Sequence, residues 1–184
     1  MRKINLWRIV QDHAQTLVDY PSKRLSRSDL AVFAGLPIAG GIACAWFQIG
    51  FKAEVLDGLL TAFSIFAGLL LNLLVLVFSY TQSSAQTPRP IDPKAAIRER
   101  LTREIHANVS FAILVSLAMV VCTVVALWLL KHAEQGTPNE TGWLLTFLLV
   151  TLSINFGLTM MMVLKRMHLL IDQEFELANH RKAA

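Results

Sequence analysis

Four long stretches of the chain contain no Asp, Glu, Lys or Arg, and polar connections separate them. They cover residues 30–50, 59–80, 109–130 and 143–164. At about 1.5 Å of rise per residue, a helix of this length can cross a hydrocarbon layer of about 30 Å. The pattern therefore predicts an all-α protein built as a bundle of four transmembrane helices.

The third and fourth helices are predicted to continue beyond the membrane. Residues 83–93 form a polar, proline-containing strip, predicted to be extended, and Asp92 then provides a helix N-cap before Pro93. Neither proline nor glycine interrupts 94–130, and apolar spacing after the last span persists to about residue 178. We therefore divide the chain into a leader (1–29), a membrane domain (30–164, with a linker and stalk at 81–108) and a helical tail (165–184).

Residues 4–18 of the leader have the pattern of an amphipathic helix. Polar side chains alternate with an apolar stripe at helical spacing, which predicts a helix on the membrane interface or against other helices. Trp7, beside Arg8, is typical of an anchor at the level of the lipid headgroups. The stripe consists of Ile4, Trp7, Val10, Ala14, Leu17 and Val18.

The charge distribution predicts the orientation of the chain. The sequence is 54% apolar and 16% charged, and of its 17 Lys and Arg only Lys52 and Lys131 fall in the two connections predicted to be outside. Since basic residues accumulate on the cytoplasmic side, both termini and the middle loop are predicted to be cytoplasmic. Topology thus explains the net charge of +4, and direct nucleic-acid binding is not expected.

Two amides lie deep in the predicted spans, Asn72 in the second and Asn155 in the fourth. Both spans run inward, so the two amides are predicted at nearly the same depth. An amide in hydrocarbon needs a polar partner, which another helix, a backbone carbonyl or water can provide. One interpretation is contact between helices, and the other is a narrow polar path lined also by Ser64 and Ser153.

The first span is rich in small residues, with Gly35, Pro37 and Gly40 in its middle. Small side chains let helix backbones approach closely in a membrane, so this span is predicted to pack tightly. A gating hinge at Pro37 is the alternative interpretation.

The two extensions carry opposite charges. The first is basic at Arg98 and Arg103, and the second is acidic at Asp172 and Glu176. Both carry apolar side chains at helical spacing: Ile97, Leu101 and Ile105 in the first, and Leu164, Met167, Ile171, Phe175 and Ala178 in the second. We therefore expect the extensions to pack on each other, within one chain or between chains, with the charges at the rim.

The motifs of an enzyme are missing from the sequence. The five histidines are scattered, and the chain contains no GxSxG motif, glycine-rich phosphate loop or cysteine spacing typical of metal sites. The spans also leave no room for a separately folded soluble catalytic domain. We therefore expect no catalytic residues, no metal and no cofactor.

The string SIFAGLLLNLLVLVFSY at 64–80, the four-span layout and the helical extensions together resemble the KwaA family, the membrane subunits of Kiwa anti-phage defence systems. The resemblance implies a homo-oligomeric sensor, a tetramer, in the bacterial inner membrane that responds to phage attachment or injection. It also implies that the cytoplasmic face docks a soluble, DNA-binding effector of the KwaB type. It assigns no residue roles.

Three functions are compatible with the sequence. The first is a non-enzymatic membrane sensor or scaffold whose extensions dock a cytoplasmic effector. The second is a pore that depolarises the membrane, with Asn72 and Asn155 in its wall. The third is an accessory subunit of a larger membrane complex.

Overall fold

The computed structural model describes residues 6–16, 18–19, 24–25, 31–86, 95–132 and 140–183, and nearly all of them are helical. The first helix, α1, covers Leu6–Gln15, and a π-helical turn at Ala31–Gly35 leads directly into α2, Leu36–Trp46. The three long helices are α3 (Ala53–Gln86), α4 (Ala95–Lys131) and α5 (Trp143–Ala183). Two short strands, β1 (Val18–Asp19) and β2 (Arg24–Leu25), pair antiparallel after α1.

The chain is thus helical, with three helices long and apolar enough to cross a membrane. The candidate spans lie within α3, α4 and α5, whereas the first predicted window forms the shorter apolar helical segment Ala31–Trp46. Both α4 and α5 run without a break past the predicted membrane boundaries. The prediction of an extended strip from residue 83 was wrong at its start, because α3 continues to Gln86. Asp92 and Pro93 lie outside the described residues.

A seven-residue repeat of buried side chains holds the long helices together, with α4 in contact with both α3 and α5. A repeat of seven keeps one helix face towards its neighbour over many turns, as in a left-handed coiled coil. We call these buried lines the seam. They consist of Leu56, Phe63, Leu70 and Val77 on α3, Ile105, Ala112, Met119 and Ala126 on α4, and Leu149, Phe156, Val163 and Leu170 on α5.

On α4, a second and mostly polar line of buried residues lies beside the seam. This line, Thr102, Val109, Ser116 and Thr123, alternates with the first at spacings of three and four residues. The Ser116 hydroxyl donates to the Ala112 carbonyl at 2.9 Å, so it is satisfied within its own helix. Small side chains on this line permit close helix packing where lipid supplies little driving force for association.

Three exposed tryptophans mark one end of the bundle, which we call the Trp end. Trp46 is the last residue of α2, Trp128 lies near the end of α4 and Trp143 begins α5. The connections at this end bind each other: the Phe51 backbone N–H donates to Thr141 Oγ1 at 2.9 Å, and the Thr141 N–H donates back to the Phe51 carbonyl at 3.1 Å. Exposed tryptophans at one level are typical of a membrane–water interface.

Candidate functional site

A buried polar cluster joins α1 to the long helices at the end opposite the tryptophans. His13 of α1 is only 6% exposed, and its Nδ1 lies 2.7 Å from Asn108 Oδ1 on α4. The His13 ring also stacks on Phe111, with the ring centroids 3.9 Å apart and the planes 4° from parallel. Asn108 is completely buried. We call His13, Thr16, Asn108, Arg166 and Glu104 the α1 cluster.

The hydrogen bond to Asn108 determines that Nδ1 of His13 carries a hydrogen. An amide oxygen only accepts, so His13 Nδ1 carries the hydrogen and donates it. Burial lowers the pKa of His13 below its ordinary value; the hydrogen bond to Asn108 opposes this shift, and the positive charge of Arg166 adds to it. The side chain is therefore a neutral donor at neutral pH, suited to positioning α1.

Arg166 of α5 completes the α1 cluster. Its Nη2 donates to the Thr16 backbone carbonyl at 2.8 Å, just past the last residue of α1. Its Nε lies 3.2 Å from Glu104 Oε2 on α4, and the other carboxylate oxygen of Glu104 lies 2.7 Å from Arg100 Nε. A cation at a helix C-terminus is favourable for the helix dipole. One guanidinium thus ties three helices together.

Hydrogen bonds from Asn108 and Thr16 also reach α5. Asn108 Nδ2 donates to the Met162 sulfur at 3.3 Å, and the Thr16 hydroxyl lies 3.8 Å from the same sulfur. The Thr16 hydroxyl lies 2.7 Å from the His13 carbonyl and 3.0 Å from Asn108 Oδ1, and its single hydrogen can serve one of them at a time. Among the described residues, the Nη1 of Arg166 is buried without a partner.

The α1 cluster lies about one membrane thickness from the Trp end. Residues 108 and 128 are about 30 Å apart along α4, and residues 143 and 166 are about 34 Å apart along α5, at 1.5 Å per residue. Both lengths match a hydrocarbon core of about 30 Å. Helices α4 and α5, if they enter a membrane at the Trp end, would therefore reach its other surface at the level of the α1 cluster.

Sequence reasoning missed this cluster because it considered only the apolar stripe of α1, which was predicted to face the membrane interface or other helices. Trp7 and Ala14 of the predicted stripe are exposed, whereas His13 is buried. The available signal was a histidine within a second stripe, since His13 follows Ile9 and Val10 at helical spacing. Asn108 lies just before the third apolar window and was overlooked for that reason.

The extensions share a hydrophobic core that includes Leu101, Ile105 and Met167 of the predicted apolar stripes, and an ion pair that was not predicted joins them. The charge contact between them joins Glu104 to Arg166, so the acidic partner comes from the extension predicted to be basic. Arg103 and Asp172 are exposed, and Asp172 lies 3.4 Å from His168 on its own helix. The side chains of Arg98 and Glu176 lie outside the described residues.

The end of the predicted apolar stripe of α5 faces outward. Val163 and Leu170 are buried in the seam, whereas Ile171 and Phe175 are 45% and 66% exposed. The expected contact of Phe175 with the first extension is therefore not made in a single chain. Ile171 and Phe175, one turn apart beyond Arg166, form what we call the exposed stripe of α5.

Asn155 contacts the backbone of the first apolar segment. Its Nδ2 donates to the Phe33 carbonyl at 3.3 Å. This carbonyl lacks its usual donor four residues later, because that residue is Pro37, which has no N–H. Thr151, one turn from Asn155, donates its hydroxyl to the Pro37 carbonyl at 3.3 Å. These two polar side chains of α5 compensate for the backbone irregularity around Pro37.

Close packing of α2 on α5 depends on two glycines. A side chain added at Gly40 would overlap Ile154, and one at Gly41 would lie 2.9 Å from the Phe147 carbonyl. Gly35, by contrast, has nothing within 4 Å of the position that a side chain would occupy. The predicted packing therefore involves Gly40, with Gly41 in addition, but not Gly35 in this chain.

Asn72 lies apart from Asn155, on an exposed face of α3. Ser64 is exposed as well, and its hydroxyl donates to the Leu60 carbonyl at 2.7 Å, within its own helix. Ser153 is partly exposed on α5. The structure does not bring the two amides together, so a single chain does not form the predicted polar path between them.

No protein-family model, curated protein or solved structure matches the chain. Among the described residues, no group of three or more His, Cys, Asp or Glu side chains could hold a metal ion. What the α1 cluster can do chemically is hold a short amphipathic helix through directed hydrogen bonds and one ion pair.

Proposed function

We propose that the chain is a non-enzymatic sensor and scaffold of an anti-phage defence system, related to the membrane subunits of Kiwa systems. It is an inner-membrane homo-oligomer with both termini in the cytoplasm, and its α4 and α5 extensions dock a soluble, DNA-binding effector of the KwaB type. The observation that supports docking of an effector is the exposed stripe of α5. Large apolar side chains on a helix already packed on its other side favour a protein partner.

The proposed orientation places the Trp end outside and the α1 cluster at the cytoplasmic surface. The basic leader and middle loop support it, since such residues accumulate inside. In this arrangement α2 crosses the membrane in addition to α3, α4 and α5, which makes four crossings. Its exposed Ile38, Ile42 and Trp46 support contact with lipid, and the residues preceding and following it complete the crossing.

The sensing part of the proposal assigns a role to α1. Exposed Leu6 and Trp7 are suited to the headgroup region, while His13 on the buried side fixes α1 to α4. A disturbance of the inner leaflet would then act on α1 directly. Arg166 connects α1 to the helix that carries the exposed stripe.

The test of docking compares two substitutions on the same extension. Full-length protein carrying Phe175→Asp is purified from its native host, and recovery of the soluble partner is measured against wild type. Leu169→Asp is the matched control, because Leu169 is 44% exposed but lies on a different side of α5 from the exposed stripe. We expect loss of partner and of phage protection with Phe175→Asp alone. Equal recovery from both variants would contradict docking at this stripe.

A membrane pore is the second candidate function, and the exposure of Asn72 favours it. A polar side chain on the surface of one chain could line an opening between several chains. Conductance of the purified protein in planar bilayers, lost in Asn72→Leu, would support the pore over the scaffold. Absence of conductance from oligomers that still recover the partner would exclude it.

A further inference from the structure

The long helices differ in what they expose along their apolar segments. Between 109 and 130 on α4, and between 143 and 164 on α5, every Ser, Thr and Asn side chain is buried or partly buried. On α3, four such side chains are exposed between residues 59 and 80. They are Thr61, Ser64, Asn72 and Ser79.

These side chains lie on one face of α3. At 100° per residue, the four positions and Gly68 fall within an arc of about 80°. We call Thr61, Ser64, Gly68, Asn72 and Ser79 the polar face of α3. The seam residues of α3 point away from it. Exposed apolar residues flank the polar face on both sides, with Leu69 about 100° and Phe66 about 160° from Gly68 around the helix, and exposed Val75 lies within the same arc.

Most of the polar face is prepared for close contact with another helix. The hydroxyls of Thr61, Ser64 and Ser79 donate to backbone carbonyls four residues earlier, at 2.9, 2.7 and 3.0 Å. They therefore need no hydrogen bonds from a neighbour. At Gly68, nothing lies within 4 Å of the position that a side chain would occupy. A second backbone can approach closely there.

Asn72 is the member of this face that requires a partner. It lies within one turn of the middle of the 59–80 window, and none of the described residues forms a hydrogen bond with its amide. Lipid chains offer neither donors nor acceptors. A carboxamide has one acceptor oxygen and two donor hydrogens, so a second carboxamide is its natural complement.

We propose that the polar face of α3 binds the same face of a second copy of this chain, with Asn72 opposite Asn72. Copies inserted in one orientation are related by an axis along the membrane normal, so identical residues meet at identical depth. The exposed faces of α4 and α5 in their charge-free windows are apolar, so among these helices only another α3 offers a polar match. This inference rests on the homo-oligomer included in the proposed function and names its contact surface.

Disulfide cross-linking in native membranes tests the surface. In a Cys44→Ala, Cys122→Ala background, single cysteines replace Gly68 or Asn72 on the polar face, and Phe66 or Leu69, which are exposed away from that face, as matched controls. We expect cross-linked dimers from positions 68 and 72 and little product from 66 and 69. Equal cross-linking at all four positions, or more at 66 and 69, would overturn the proposed surface.

Association measurements by light scattering and dilution in lipid nanodiscs separate the contact from folding. We expect Asn72→Leu to weaken association about tenfold, Asn72→Gln to preserve it, and Leu69→Ala to leave it unchanged. If Asn72→Leu does not weaken association, the proposed contact surface on α3 is wrong, although the homo-oligomer itself is not contradicted. A wild-type protein that is monomeric at all concentrations would overturn both this surface and the homo-oligomer.

Discussion

Replacing Asn108 by Ala tests whether the α1 cluster fixes α1. The substitution removes an acceptor 2.7 Å from His13 Nδ1 and leaves that N–H in a side chain only 6% exposed. An unsatisfied buried donor costs about 1–3 kcal/mol. Removing a completely buried side chain adds about 1 kcal/mol for lost packing. We therefore expect α1 docking to weaken by about 2–4 kcal/mol, a factor of about 30 to 1,000 in the equilibrium constant between docked and undocked α1.

Hydrogen exchange of the α1 amides in nanodiscs measures this loss directly. Exchange within Leu6–Gln15 should accelerate in Asn108→Ala, while the seam segments of α4 and α5 keep their protection. Asn108→Asp retains an acceptor for His13 and should restore most of the protection of α1. Ser110→Ala is the control, because Ser110 is only partly buried on the same helix. Unchanged α1 protection in Asn108→Ala would refute the role assigned to the cluster.

Three further predictions follow from the buried polar groups and the glycine contacts. Burial lowers the pKa of His13, so the undocked state binds a proton on His13 more readily than the docked state. The hydrogen-exchange protection of α1 should therefore fall as pH drops below about 6.5. In the same pH series, His13→Gln should flatten this dependence. Asn155→Leu removes the donor to the Phe33 carbonyl and should lower the free energy of unfolding in mixed micelles by about 1–3 kcal/mol; an unchanged value would contradict this hydrogen bond. Gly41→Val should destabilise the protein by more than about 2 kcal/mol in the same assay, whereas Gly157→Val, with nothing within 4 Å, should stay within about 0.5 kcal/mol.

The apolar windows predicted the long helices because length and absence of charge are local properties of the sequence. The windows 59–80, 109–130 and 143–164 all lie within helices that are long enough to cross a membrane. The continuation of α4 and α5 was also predictable, since neither Gly nor Pro interrupts them near the predicted boundaries. The 30–50 window differs because Pro37 and the π-helical turn before it shorten the regular helix.

Which face of each long helix is buried could not be predicted in the same way. In an apolar span, lipid-facing and protein-facing residues have similar hydrophobicity, so periodicity does not distinguish them. On α5 the predicted stripe included Ile171 and Phe175, whereas Val163 and Leu170 form the seam. The seven-residue spacing of small polar residues on α4, such as Ser116 and Thr123, would have been a better guide to the buried side.

The spacing of His13 could have indicated a buried side of α1, but its partners in the α1 cluster could not be predicted because they are distant along the chain. His13 and Asn108 are 95 residues apart, and Arg166 is 150 residues from Thr16. Neither pair belongs to a motif with fixed spacing. Asn155 was different: an amide in an apolar span needs a partner, and the contact with a backbone carbonyl was one of the predicted possibilities.

The way each part of the bundle is held decides which part can respond to the membrane. The α3, α4 and α5 helices share a seam that continues through many turns, so separating any one of them exposes a long row of buried side chains. By contrast, α1 is ten residues long and is held mainly around His13 and at its C-terminal end by Arg166. Elements with few buried contacts open first. In the proposed sensor, α1 is therefore the element that moves, and release of Arg166 is the step by which its movement reaches the α5 extension.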